Sequence, residues 1–192
     1  MKIGIFGGTF NPVHWGHLQL AEGARKQLGL DEVIWVPSQL PPHKPIEGNA
    51  TPEDRTQMVK RAIQDQAGFS LSRTELDRPA FSYTIDTVKR LQEERPDPRI
   101  TWYLILGSDA ARDLQSWREY ERLRNLVKFA VIARPHGPIG WKPTSEMIPL
   151  SVQTTALSST QIRGQVQRGE SIRGMVPEAV RHYIEEKGLY QG

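Results

Sequence analysis

Two histidines at i and i+3 stand in the stretch Gly7-Gly8-Thr9-Phe10-Asn11-Pro12-Val13-His14-Trp15-Gly16-His17. Imidazoles with that spacing share one face of a helical turn. The stretch follows a short apolar run, Ile3 to Phe6, and leads into a segment that reads as a helix from about Gly16 to Leu28. Glycines let backbone N–H groups come close to a ligand, and a helix N-terminus favours an anion. A strand, a glycine turn, a helix start and paired imidazoles together imply a site for a nucleoside triphosphate. Gly4-x-x-Gly7-Gly8 is not the G-x-G-x-x-G fingerprint and no Walker A pattern is present, so the phosphates must be held in another way. Helix capping or a satisfied core position would explain one of these histidines. A zinc pair would need further ligands, and no cysteine or third ligand lies nearby.

A second cluster reads Ser158-Ser159-Thr160-Gln161-Ile162-Arg163. Hydroxyls ahead of a helix, its free N–H groups and an arginine suit phosphate oxygens. Ordinary N-capping by Ser158 fits the same residues.

The elements that must position these groups are short apolar runs, at Ile3–Phe6, Val33–Val36, Ile100–Leu106 and Phe129–Ala133, separated by longer amphipathic segments. Alternation of this kind predicts an α/β fold, a Rossmann-like doubly wound and mainly parallel sheet with helices on both faces. Ligands of such sheets gather beyond the carboxyl ends of the strands, where the strand order reverses. Thr51 and Pro52 start a helix to about Gln66, Phe69–Ser72 reads as a short strand, and Ser82 or Thr84 opens a helix that ends before Pro96. Ser158 and Pro177 open the last two helices, and Gly188 stops the final one. The proline-rich stretch from Ser38 to Asn49 and the stretch from Pro135 to Pro149 read as two long loops. Repeats, low-complexity tracts and linkers are lacking, so residues 1–192 are expected to form one domain.

Composition narrows the classes. A length of 192 residues with 38% hydrophobic content allows one well-buried globular core. A membrane span is not expected, since no apolar run approaches 18 residues. Met1-Lys2 leads straight into a strand, which leaves no room for a secretory signal and makes the cytoplasm the expected compartment. With no cysteine, disulfides and thiolate chemistry are excluded. The net charge of +3 is a small excess of scattered basic residues, too weak to indicate nucleic acid.

Gly7-Gly8-Thr9-Phe10-Asn11-Pro12-x-His14-x-Gly16-His17 resembles the G-x-F-x-P-x-H-x-G-H signature of the nucleotidyltransferase superfamily. Pro42-His43-Lys44, Ser82-Tyr83-Thr84-Ile85-Asp86-Thr87, Gly107-Ser108-Asp109, Trp117, Arg134-Pro135 and the Ser158–Arg163 stretch narrow the likeness to bacterial nicotinate mononucleotide adenylyltransferases, in order and over nearly the whole chain. The resemblance implies adenylyl transfer from ATP to nicotinate mononucleotide, giving nicotinate adenine dinucleotide and pyrophosphate in NAD biosynthesis. It implies catalytic roles for His14, His17, Arg163 and Lys44. ATP is expected at Gly7, Gly8, Thr9, Phe10, His14, Gly16, His17, Gly107, Asp109, Arg134, Ser158, Ser159, Thr160 and Arg163. The mononucleotide is expected at Thr9, Lys44, Tyr83, Thr84, Asp109, Trp117 and Arg118, with the tryptophan stacked on the pyridine ring. Mg²⁺ is expected to enter on the ATP phosphates, with no metal site of the protein's own.

Each residue has a plainer reading. Trp117 suits a core position, Thr84 and Asp109 suit helix caps, Lys44 a solvated surface and Arg134 an exposed strand end. Nicotinamide mononucleotide or phosphopantetheine remains open as acceptor, as does a non-catalytic nucleotide- or nucleic-acid-binding protein. A homo-oligomer also stays open, because the family includes monomers and dimers.

Overall fold

The computed structural model describes residues 1–39, 47–77, 83–132 and 142–191. Along the chain run β1 (Lys2–Gly8), α1 (Trp15–Leu28), β2 (Glu32–Pro37), α2 (Pro52–Ile63), β3 (Phe69–Leu71), α3 (Thr84–Glu94) and β4 (Thr101–Gly107). Then follow α4 (Ser108–Arg112), a 3₁₀ turn (Leu114–Ser116), α5 (Tyr120–Leu126), β5 (Lys128–Ile132), β6 (Met147–Leu150), α6 (Ser159–Gln167) and α7 (Glu178–Lys187). The strands form a parallel sheet in the order β3-β2-β1-β4-β5-β6. Its order reverses between β1 and β4, so the ligand crevice of such a sheet lies beyond the ends of these two strands.

Both faces of the sheet are covered, and the period-2 alternation of the strands sorts side chains between two cores. Val33, Trp35, Tyr103, Ile105, Ala130 and Ile132 pack with apolar residues of α1, α2, α6 and α7. Ile34, Val36, Trp102, Leu104, Leu106, Phe129 and Val131 pack with those of α3, α4 and α5. With the strand faces occupied by apolar contacts, polar chemistry is left to the strand ends and the helix starts.

Local expectations are met with a few corrections. Thr51 caps α2, its Oγ1 accepting from the Asp54 N–H at 3.1 Å while the Asp54 carboxylate accepts from the Thr51 N–H at 2.9 Å. That helix ends at Ile63 rather than Gln66. The first strand does not stop at Phe6: Gly7 and Gly8 continue the ladder opposite Val36 and Pro37, and the turn begins at Thr9. The stretch expected to be loop as far as Pro149 carries β6, which pairs with β5 from Phe129↔Met147 to Ile132↔Leu150. Pro149 hid it, yet an edge strand tolerates a residue without an N–H.

Glu32 ties the other edge. Its carboxylate accepts from both Arg95 Nη1 and Arg95 Nη2, the latter at 3.0 Å, and from the Ser70 hydroxyl of β3. The Arg95 hydrogen bond holds this carboxyl below its usual value of 4.5. A depressed folded-state value means that stabilisation is present above the ordinary glutamate range and lost as pH falls through the folded value. Glu32→Gln should therefore lower Tm at pH 7, and its difference from the natural protein should shrink as the pH is lowered below 4.5, as read by thermal melts across pH.

Candidate active site

The turn after β1 enters α1 through His14, whose extended backbone (φ −146°, ψ 171°) makes it the N-cap. His17 lies in the first turn of α1, and its Nδ1 accepts from the His14 N–H at 3.2 Å. The two imidazole rings lie 3.8 Å apart between centroids with planes tilted by 31°, so they do share one face. His14 is buried, whereas His17 is partly open and stands edge-on to Phe10 at 5.2 Å. Gly16 makes the arrangement possible: a Cβ there would sit 3.0 Å from the His14 ring. Gly8 has a similar reason, since its Cβ would lie 2.8 Å from Phe10, itself held at φ +49°. The Gly8 requirement is thus for ring packing beneath the turn.

The far end of the chain closes on this turn. Arg163 of α6, nine-tenths buried, donates from Nη1 to the Asn11 carbonyl at 2.9 Å and from Nη2 to Thr160 Oγ1 at 3.3 Å and to the Glu47 carboxylate. The Ser159 hydroxyl donates to the Pro12 carbonyl at 2.9 Å. Ser158 takes the plainer role: its Oγ accepts from the Gln161 N–H at 3.1 Å and caps α6. The hydroxyls of Ser158 and Ser159 are therefore engaged with protein, and what the start of α6 offers an anion is backbone N–H and the arginine.

The residues expected at the acceptor lie on β4, α4, α3 and the segment before α5. Gly107 ends β4, and Asp109 lies exposed in the first turn of α4. Trp117 is half-buried against the second core, with one part packed and another accessible. The guanidinium of Arg118 stacks over the Tyr83 ring at 4.5 Å, bringing together two residues distant in sequence. Thr84 does not cap α3. Tyr83 occupies that position, and its own side chain makes no cap hydrogen bond. Pro42-His43-Lys44, Ser82 and Arg134-Pro135 lie outside the described residues.

Three supporting residues escaped the sequence reading. Asn11 and Tyr190 share a buried hydrogen bond of 2.7 Å. Arg55 of α2 is fully buried and bridges two backbone carbonyls, Thr9 at 2.7 Å and Gln39 at 2.8 Å. It thereby ties the turn after β1 to the stretch after β2. Burial of the charge pushes its guanidinium below the usual arginine value. A signal existed: Arg55 occupies the same face as the buried Met58, Val59 and Ala62, at the spacing of an apolar stripe. Among the described residues Arg55 has no carboxylate in ion-pair range, so neutralising it would strand the two carbonyls instead of relieving an ion pair. Each unsatisfied buried acceptor costs about 1–3 kcal/mol. With two carbonyls stranded, at about 2–4 °C per kcal/mol, Arg55→Met should lower Tm by roughly 4 °C or more, measured by circular dichroism; an unchanged Tm would contradict the bridge.

Known proteins are similar to this chain in sequence and fold. A model of the cytidylyltransferase-like family matches residues 5–165. A Synechococcus sp. (strain JA-3-3Ab) protein named "Probable nicotinate-nucleotide adenylyltransferase" is 45% identical, with 98% of this chain and 94% of the relative covered. A Thermus thermophilus protein of the same name is 42% identical over the whole of both chains. Among solved structures, Plasmodium falciparum nicotinic acid mononucleotide adenylyltransferase complexed with NaAD superposes with a TM-score of 0.79 over 98% of this chain and 97% of that one. At 22% identity, that likeness speaks for the fold.

Proposed function

The chain belongs to the nicotinate-nucleotide adenylyltransferases of the cytidylyltransferase-like family, and on that premise we propose how its residues carry the reaction. It transfers the adenylyl group of ATP to nicotinate mononucleotide, giving nicotinate adenine dinucleotide and pyrophosphate. A phosphate oxygen of the mononucleotide attacks the α-phosphorus, and the bond from that phosphorus to the β-phosphate bridging oxygen breaks. The attacking phosphate is already anionic at neutral pH, so no strong general base is required. Catalysis then rests on position and on stabilising charge that moves onto the leaving pyrophosphate.

One observation carries this reading. The starts of α1 and α6, separated by most of the chain, are tied to the same turn by Arg163 and Ser159. A polyphosphate lying across these two helix N-termini would be met by the His17 ring and the Arg163 guanidinium. In this proposal His17 and His14 serve the phosphates as donors, and Arg163 exchanges its Glu47 carboxylate for phosphate oxygen. Gly7, Gly8, Thr9 and Gly107 provide close backbone, and Asp109 is placed to accept from a ribose hydroxyl. Lys44 and Arg134 are assigned to phosphate on the family resemblance.

The acceptor belongs on the Tyr83–Arg118 side. Backbone N–H groups at the start of α3, at Tyr83 and Thr84, suit the pyridine carboxylate, and the half-buried Trp117 suits the ring. An amide in the same place would turn its own NH₂ toward those donors, which disfavours nicotinamide mononucleotide. Among the described residues no group of three or more His, Asp or Glu could hold a metal ion; magnesium is assigned to the ATP phosphates because Mg²⁺ commonly enters on substrate phosphates and keeps several waters. When bound, that ion offsets charge on the β- and γ-phosphates. Among the described residues no helix is long and apolar enough to cross a membrane.

Pyrophosphate release with MgATP and either acceptor tests the assignment. The acid should exceed the amide in kcat/KM by at least about tenfold, and His17→Ala should lower kcat by about 10²-fold or more. Equal use of both acceptors would withdraw the carboxylate assignment. Full activity in the variant would remove His17 from the chemistry.

A further inference from the structure

We propose that Tyr190 is a positioning residue for ATP, acting through Asn11 on Arg163 and the turn after β1. The inference rests on the reading of Arg163 as a ligand of the polyphosphate.

Asn11 is 5% exposed and joins three remote parts of the chain. Its carbonyl accepts from Arg163 Nη1 at 2.9 Å, its Nδ2 donates to the Glu47 carbonyl at 2.8 Å, and its Oδ1 accepts from the Tyr190 hydroxyl at 2.7 Å. The orientation of the amide follows from its partners. A backbone carbonyl can only accept, so Nδ2 must face Glu47, which leaves Oδ1 for the phenol. A neutral carboxamide satisfies both neighbours at once, and a carboxylate would not.

Tyr190 is held in place from several sides. It is 2% exposed, and its N–H donates to Asn49 Oδ1 at 2.7 Å while Asn49 Nδ2 donates to the Gly188 carbonyl at 3.2 Å. Its ring packs against Gly48, where a Cβ would lie 2.8 Å away. Its backbone sits at φ +62°, in the left-handed region that a side chain disfavours, and Phe10 beside Asn11 sits at +49°. Two strained residues therefore flank one buried hydrogen bond. Such conformations persist where the surroundings over-determine them, and they cluster at functional sites. Burial also pushes the phenol above its ordinary range, which keeps the hydroxyl protonated and donating.

The consequence is mechanical. The side chain and carbonyl of Asn11 belong to one residue, so a hydroxyl that fixes the former also fixes the direction of the latter. That carbonyl is the anchor of the Arg163 guanidinium. Removing the hydroxyl leaves the ring in its packing and takes away one of the two side-chain hydrogen bonds that hold Asn11, loosening the anchor.

Calorimetric MgATP binding without acceptor, steady-state kinetics with nicotinate mononucleotide, and thermal melts on Tyr190→Phe and Asn11→Ala decide the matter. Both variants should raise Kd and KM for ATP by about fivefold or more, the weight of one lost hydrogen bond, with KM for the mononucleotide within about twofold. A merely structural role would lower Tm and the active fraction while leaving the affinity of the folded protein for ATP unchanged. A folded variant of either kind with the natural Kd for ATP would overturn the proposal. Asn11→Ala keeps it testable if Tyr190→Phe does not fold, because it removes the acceptor of the Tyr190 hydroxyl while leaving the Tyr190 ring in its packing. If the natural protein binds MgATP yet releases no pyrophosphate, the assigned reaction fails, and Tyr190 is still judged by the binding constants.

Discussion

The contact on which the site depends is the hydrogen bond from Arg163 to the carbonyl of Asn11. It joins residues 152 positions apart and brings the start of α6 to the start of α1. Neither helix could supply such an environment alone, because one N-terminus carries only part of an elementary charge. The sheet makes the meeting possible: both its faces are covered, β1 is central, and the turn beyond β1 is reached by helices from the two ends of the chain. Arg163 is buried and satisfied in several directions by a backbone carbonyl, a threonine hydroxyl and a glutamate. A charge so fixed costs little further ordering when an anion arrives, which is the benefit of a preorganised donor.

A second buried arginine explains why the turn keeps its shape. Arg55 lies beneath Thr9 and reaches Gln39, and Asn11 is held by Tyr190 and Glu47. These are connections to backbone and neutral groups, through which the protein fixes a loop without surrounding it with acids that would repel a triphosphate. The acid that does enter, Glu47, lies on the Arg163 guanidinium and is largely exposed, with side-chain exposures of 65% for the glutamate and 10% for the arginine. Leaving that contact therefore returns the carboxylate to water at small desolvation cost. On this account it is the partner that phosphate replaces.

Much of this was legible in the sequence. The β–turn–helix with His14 and His17 was readable because period-2 apolar runs and a glycine turn leave a strong local signal, and the parallel α/β sheet followed from alternating segments. The Thr51 cap, the final helix ended by Gly188 and the role of Arg163's neighbours at a helix start were also local features. What remained hidden was long-range or locally contradictory. β6 carries Pro149, which argues for a loop until its edge position is known. Tyr190 and Asn11 are 179 residues apart, and nothing in either neighbourhood announces the other. Arg55 was visible as a charge on an apolar stripe, but its partners are backbone carbonyls, which have no sequence signature. Thr84 suits a cap of α3 by residue type, whereas Tyr83 takes the cap position because its backbone is extended there (φ −88°, ψ 142°).

The most direct test of the central claim is the structure of the protein with a non-hydrolysable ATP analogue and magnesium. A triphosphate should lie across the starts of α1 and α6, with phosphate oxygens in hydrogen-bond range of the His17 ring and the Arg163 guanidinium. A triphosphate bound elsewhere, touching neither residue while Arg163 stays on Glu47, would contradict it.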